Sequence, residues 1–563
     1  MYRDARSQQY AEENMSVYDQ KPWLGQYSAG VPAEVRPEFP DALSMFRHAL
    51  ARDPSRTLIH YFDSSIAVGD IDRMSDALAV ALAARGIRRG DRIAAYLQNV
   101  PQFVLTMLAA WKLGAILVSC NPMLRHKEVG VILNDSGARV LVTLESLYHE
   151  VARAVVPDSK VELVLTTSEL EFLGPNRPAL LKDSTRQPCD GATDLMTLIA
   201  EFNGQRPAPV TISGDDVALL TYTSGTTGPP KGAMNLHRNI VYNTQVYREW
   251  MKLSSADVIL GVAPLFHITG LIACVTTAML LPCPLVLYFR FDPATTAELV
   301  ELHGVTFVVA SITVFIALMN NEEARKRDFS TLKKVYSGGA PVSPAQVEAF
   351  QNMFGAYIHN IYGMTETTSP THAVPLGGQA PVDPNTGALS VGVPVCGAIV
   401  RICDDEGHEL PTGEIGELVS GGPMVVPGYW EKPEESAQAF EARGIHTGDV
   451  GFMDADGWFY IVDRKKDLII ASGYKVWPRE VEDVLYTHPA IRECAVVGVV
   501  DAYRGETVKA YVSLRPGMDA TGQDIVEFCK DRMAAYKRPR EVEVLPELPK
   551  TASGKIMRRE LRK

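Results

Sequence analysis

The chain has 563 residues, 46% of them apolar and 22% charged, with a net charge of −12. A single core stops growing near ~250–300 residues, so more than one domain is expected. The composition excludes a disordered or collagen-like chain, and the acidic balance excludes a general nucleic-acid binder.

Eight cysteines form no C-x-x-C pair and no metal spacing with histidine, which fits a reducing compartment. Cys120, Cys274 and Cys283 lie in apolar surroundings and are expected to be buried thiols. The polar start of the chain carries no signal-peptide pattern, so a cytoplasmic enzyme is expected.

Alternating patterns begin near residue 70. Helical spacing over 74–85 is followed by a strand at 92–97, a helix at 100–113 and an extended run at 115–120. A helix at 128–135 and a strand at 139–143 follow. Repeated β–α units predict an α/β fold with a largely parallel sheet covered by helices. Residues 150–215 are proline-bearing and irregular, and read as an insertion or loop-rich surface. The alternation resumes at 258–263, 294–303, 305–310 and 345–354. The apolar span 271–289 contains Pro282 and Pro284, so it reads as a helix followed by a buried strand rather than a membrane crossing.

From about Gly387, short strands with glycine turns predict a small β-rich subdomain. The charged cluster Asp463, Arg464, Lys465, Lys466 and Asp467 reads as a linker to a final domain of ~100 residues. Expected boundaries are 1–463, a hinge at 464–467, and a mobile α+β lid at 468–563. Residues 530–563 hold 11 Lys/Arg against 5 Asp/Glu. Such a run is either a solvated basic face or a mobile piece that meets anionic small molecules.

The most informative stretch follows the buried strand expected at 217–220. Thr223, Ser224, Gly225, Thr226, Thr227 and Gly228 are small or hydroxylated, and Lys231 comes close behind. Backbone amides, hydroxyls and a lysine together cradle phosphates. The spacing is not that of a Walker loop: Pro230 precedes the lysine and Gly232 follows it.

Further segments join this loop: Gly338-Gly339-Ala340, Tyr362-Gly363-Met364-Thr365-Glu366, Thr447-Gly448-Asp449, the 463–467 cluster, and Pro549-Lys550-Thr551-Ala552-Ser553-Gly554-Lys555. In this order they resemble the adenylate-forming superfamily of acyl-CoA synthetases, peptide-synthetase adenylation domains and luciferases, over residues ~40–563. The resemblance implies ATP, Mg²⁺ and coenzyme A as the participating small molecules. It places the Thr223–Lys231 loop on the β- and γ-phosphates, Thr365 on the α-phosphate, and Glu366 on the metal. Gly338, Gly339 and Ala340 would wall the adenine, Asp449 and Arg464 would take the ribose, and Tyr362 would stack or pack nearby. Lys555 would stand between the two anions that must meet. Lys466 matches the hinge position of the lid, and Gly473 the loop facing pantetheine. Some relatives carry lysine where this chain has Ile470.

Amino-acid activators place an acid near Pro264-Leu265-Phe266-His267; here His267 stands instead, followed by the apolar run 268–275. Apolar walls favour alkyl chains by ~0.8 kcal/mol per buried CH₂. The segment Lys21-Pro22-Trp23-Leu24-Gly25-Gln26-Tyr27 resembles bacterial long-chain fatty-acyl-CoA ligases. A medium- or long-chain fatty acid is therefore the expected substrate, with an aryl or sterol-side-chain acid, or a carrier-protein acceptor, as alternatives. Peripheral membrane contact and a homodimer are compatible with this sequence; a nucleic-acid partner is not expected.

Overall fold

The β–α alternation builds two large sheets in the computed structural model, which describes residues 16–223, 230–464, 467–471, 474–501, 505–530, 532–551 and 555–562. The first runs in the order Thr193–Asp194, Leu163–Thr167, Val140–Leu144, Arg92–Tyr96, Ile116–Cys120, Val217–Tyr222, Gly232–Leu236. Its strands are parallel except for the last pair, an antiparallel hairpin. Ile116–Cys120 and Val140–Leu144 are buried at every position, as a sheet covered on both faces requires.

One expectation is corrected here. Residues 150–215 are not simply irregular: they supply the strands Leu163–Thr167 and Thr193–Asp194 and the helix Leu195–Glu201. A five-residue apolar run carries too little periodicity to declare itself. Pairing with Val140–Leu144 makes it a strand.

The second sheet runs Val393–Pro394, Ser369–Ala373, Ile358–Met364, Lys334–Ser337, Phe307–Ala310, Ile259–Leu260, Leu285–Leu287, Thr57–Tyr61, Ser64–Ala67. It is parallel inside and antiparallel at both ends. The helix Pro101–Lys112 is buried at every position. Its Lys112 ammonium survives there because it reaches Asp72 at 2.7 Å and Asp76 at 2.6 Å.

Residues 271–289 fold as expected, with one local difference: the helical part opens as a π-helix, Gly270–Thr276, and a strand, Leu285–Leu287, follows. A Cβ at Gly270 would lie 2.2 Å from the Pro264 carbonyl oxygen, so only glycine fits. Among the described residues no helix is long and apolar enough to cross a membrane. Cys120, Cys274 and Cys283 are fully buried.

A smaller antiparallel sheet combines Ile399–Cys403, Gly416–Gly421, Phe440–Glu441, Gly444–Met453 and Phe459–Arg464. An N-terminal strap pins it to the second large sheet. Trp23 is buried edge-on to Phe459 at 6.2 Å, and the Tyr27 hydroxyl donates to the Pro394 carbonyl at 2.7 Å.

The chain after Arg464 has a sheet and a core of its own. The sheet joins Ile469–Ala471, Tyr474–Val476, Ile491–Asp501, Gly505–Leu514 and Glu541–Val544, and the core includes Val481, Leu485, Val496, Val512 and Ile525. The basic tail is neither simply solvated nor free. Arg558 bonds to Asp463, Asp467 and Glu482, Arg562 to Asp467, and Lys550 to Glu493. A charge count over the tail alone misses these carboxylates because they come from other segments.

Candidate active site

Thr223, Gly338, Thr365 and His267 follow the carboxyl ends of strands, where loops of a parallel sheet converge. Strand Val217–Tyr222 leads into Thr223, and Gly232–Leu236 starts directly after Lys231. The loop is closed at its root, where the Thr223 amide donates to the Lys231 carbonyl at 3.0 Å. Ser224, Gly225, Thr226, Thr227 and Gly228 lie outside the described residues, as do Lys466 and Gly473. The Tyr222 hydroxyl donates to Asp135 Oδ2 and Lys432 Nζ to Asp135 Oδ1, each at 2.7 Å, tying that root to two distant segments.

Strand Lys334–Ser337 ends in Gly338, Gly339 and Ala340. A Cβ on Gly338 would meet the Ile361 carbonyl oxygen at 2.6 Å. Gly339 has φ +78° with open space in front of it, so the turn offers a flat, side-chain-free surface. It also opens the way to helix Pro344–Phe354.

Strand Ile358–Met364 delivers the turn Thr365–Thr367. Thr368 and Ser369 adopt positive φ of 50° and 94°, a conformation that persists only where neighbours over-determine it. They do so here. Asn243 Nδ2 donates to the carbonyls of Thr367 and Thr368 at 3.0 and 2.7 Å, Asn235 Nδ2 to that of Thr365 at 3.1 Å, and Tyr247 shares a 2.8 Å hydroxyl bond with Ser369. Gly363 allows the chain to double back, since a Cβ there would lie 2.0 Å from the Ser369 carbonyl oxygen. Thr365 and Glu366 are both buried, and Glu366 Oε1 accepts the Tyr429 hydroxyl at 2.8 Å.

Asp449 and the backbone of Arg464 face each other across an antiparallel pair. Only the backbone of Arg464 is described. The Tyr362 hydroxyl donates to Asp449 Oδ2 at 2.6 Å, so this tyrosine holds a carboxylate rather than merely packing.

His267 follows strand Ile259–Leu260 on a loop pinned by Asn99. The Asn99 amide bonds the carbonyls of Gly261 and Ala263, and its oxygen accepts from the Leu265 amide. Burial first, and the Lys555 ammonium second, hold the His267 pKa down at about 4, so the ring is neutral at pH 7. The Lys555 carbonyl accepts from the Thr551 amide at 2.7 Å, closing the hairpin that carries this lysine. The C-terminal segment is docked through Arg479, whose guanidinium donates to the Val342 carbonyl at 3.3 Å and whose amide donates to Asp463 at 3.0 Å.

Asn99, Asn235, Asn243, Asp135 and Tyr429 were not singled out from sequence. One signal was present: asparagines at 235, 239 and 243 recur every four residues ahead of and along helix His237–Trp250, and all three are buried.

Hard oxygen ligands, a lysine and an open glycine turn make a donor set suited to a nucleotide with its divalent metal. Among the described residues no group of three or more His, Cys, Asp or Glu could hold a metal ion.

The chain matches the AMP-binding enzyme family over residues 46–430 and the C-terminal domain of AMP-binding enzymes over 480–555, and it belongs to this family. Within it, the chain is 36% identical to a long-chain-fatty-acid–CoA ligase of Bacillus subtilis, covering 97% of this chain and 98% of that one. It is 33% identical to a long-chain-fatty-acid–CoA ligase of Escherichia coli O6:H1, covering 96% and 98%. The crystal structure of an anthranilate CoA ligase in complex with anthranoyl-AMP superposes with a TM-score of 0.83 at 26% identity, covering 94% of this chain and 97% of that one. The resemblance read from the motifs stands: the protein is an adenylate-forming acid–CoA ligase.

Proposed function

We propose that the substrate is a medium- or long-chain fatty acid, activated by ATP as acyl-AMP with release of pyrophosphate and then transferred to coenzyme A. The observation that carries this is the buried apolar run Ile268, Leu271, Ile272 and Val275 directly after His267, a ring whose pKa the Lys555 charge helps to hold down. A carboxylate entering there must approach a negative α-phosphate, and the ammonium between them lowers that repulsion.

His267 Nδ1 receives the Thr269 amide at 3.4 Å, which leaves the ring proton on Nε2. A neutral N–H can orient the acid without adding a second positive charge. Thr223 and Lys231 would hold the β- and γ-phosphates, Thr365 the α-phosphate, and Asp449, kept in place by Tyr362, the ribose hydroxyls. Gly338, Gly339 and Ala340 would lie along the adenine. Mg²⁺ would be held by Glu366 and would neutralise charge on the phosphates. In the first step an acid oxygen bonds to the α-phosphorus and pyrophosphate leaves; in the second the CoA sulfur bonds to the acyl carbon and AMP leaves.

The test is acid-dependent ATP–pyrophosphate exchange over a panel of alkyl and aryl acids, followed by detection of the CoA thioester. Lys555→Ala should lose exchange by ~10²-fold or more while still forming thioester from synthetic acyl-AMP. Exchange at the normal rate in that variant, or turnover only with aryl acids, would overturn the proposal.

A further inference from the structure

Tyr429 is buried and touches both charged groups of the phosphate grip. The segment around it runs beside strand Gly232–Leu236. The Trp430 amide donates to the Gly232 carbonyl at 2.8 Å, the Met234 amide to the Gly428 carbonyl at 3.1 Å, and Tyr429 bridges Ala233. This register places the phenol directly beside Lys231, the first residue before the strand. The Tyr429 hydroxyl donates to Glu366 Oε1 at 2.8 Å, and the Lys231 ammonium lies over the ring face at 4.9 Å from its centre. Phe440 packs edge-on at 5.5 Å and fixes the ring plane.

The geometry points to Tyr429 as the positioning residue that orients the metal-binding carboxylate and the phosphate-binding lysine through one ring. It rests on the roles given above to Glu366 and Lys231. The chemistry favours a tyrosine. A hydroxyl donor turns the carboxylate and fixes one of its oxygens without cancelling its charge. The ring face attracts the ammonium without a counter-charge, so its full positive charge is kept for phosphate. A carboxylate or an ammonium in this place would neutralise one of the two groups. The ring itself spans hairpin and turn.

Full-length Tyr429→Phe, Tyr429→Leu and Glu366→Gln separate the parts. Mn²⁺ affinity in the presence of a non-hydrolysable ATP analogue is read by electron paramagnetic resonance, metal-free analogue affinity by calorimetry, and the fold by melting temperature. Tyr429→Phe keeps the ring and removes the hydroxyl. It should weaken Mn²⁺ about tenfold and leave metal-free analogue binding within about twofold, since the ring face over Lys231 is kept. Tyr429→Leu should weaken Mn²⁺ equally and metal-free analogue binding a further severalfold, as the ammonium loses the ring. Unchanged Mn²⁺ affinity in Tyr429→Phe, with Glu366→Gln impaired, overturns the inference. Unchanged Mn²⁺ affinity in Glu366→Gln overturns instead the metal role assigned to Glu366.

Discussion

Replacing Arg558 by methionine should unfold the C-terminal segment without touching a single expected ligand. Its guanidinium is caged by Glu482 at 2.7 and 2.8 Å, Asp463 at 3.0 Å and Asp467 at 3.2 Å. Those carboxylates are 8%, 3% and 9% exposed, so without the arginine three buried acids lose the cation they share, although Asp467 keeps Arg562. Removing one partner of a buried pair costs about 3–5 kcal/mol. For a body of ~100 residues that lowers the melting temperature by more than about 10 °C. Calorimetry on the full chain should show the early transition, and ATP–pyrophosphate exchange should fail with it, because Lys555 sits on the hairpin just before Arg558. A pH series adds a sign. Burial raises the Glu482 pKa and the Arg558 charge opposes that rise, so loss of the arginine raises it further. A folded-state pKa above the unfolded value means the folded state takes up the extra proton, so the variant's deficit should shrink as pH falls from 7 toward 5. Arg562→Met, with one Asp467 contact at 2.6 Å and a third of its side chain exposed, should cost under about 1 kcal/mol. If Arg558→Met melts within a few degrees of the parent, the cage does not hold the segment and the reasoning fails.

Gly363→Ala should disable adenylation while the remainder of the fold survives. The new methyl would stand 2.0 Å from a backbone oxygen, and relief of about 1–3 kcal/mol of overpacking must move the turn that carries Thr365 and Glu366. Wild-type exchange rates in that variant would show that the turn does not need its close return. Acid should destabilise the protein through its buried histidines. His237 and His372 are held by burial at about 4 and about 3, below the unfolded value near 6.5. The unfolded chain therefore binds more protons below pH 6.5, and stability should fall by about 1.4 kcal/mol per pH unit for each group until its folded pKa is reached. Urea unfolding of His237→Asn against pH should be shallower by that slope; an equal slope in both proteins would place the titration elsewhere.

Much of the proposed site could be named from sequence, because glycine, hydroxyl, carboxylate and lysine chemistry suited to a nucleotide leaves local marks. Gly338, Gly363, Thr365, Glu366, Asp449 and Lys555 could all be named from short motifs, and the β–α alternation announced parallel sheets. Sequence also showed the apolar run after His267 that is proposed as a wall for the acid. It could not supply the supports. Asn235 and Asn243 clamp a turn more than a hundred residues away, Tyr429 spans a hairpin and that turn, and Arg558 finds acids from two other segments. Such partners are chosen by the packing of distant strands, and a hydrogen bond between them writes no periodicity into either segment. The strand Leu163–Thr167 was missed for the same reason, since its neighbour, rather than its own pattern, makes it a strand. Local chemistry therefore determined which groups could meet a nucleotide and an acid, while the tertiary structure decided which side chains hold those groups in place.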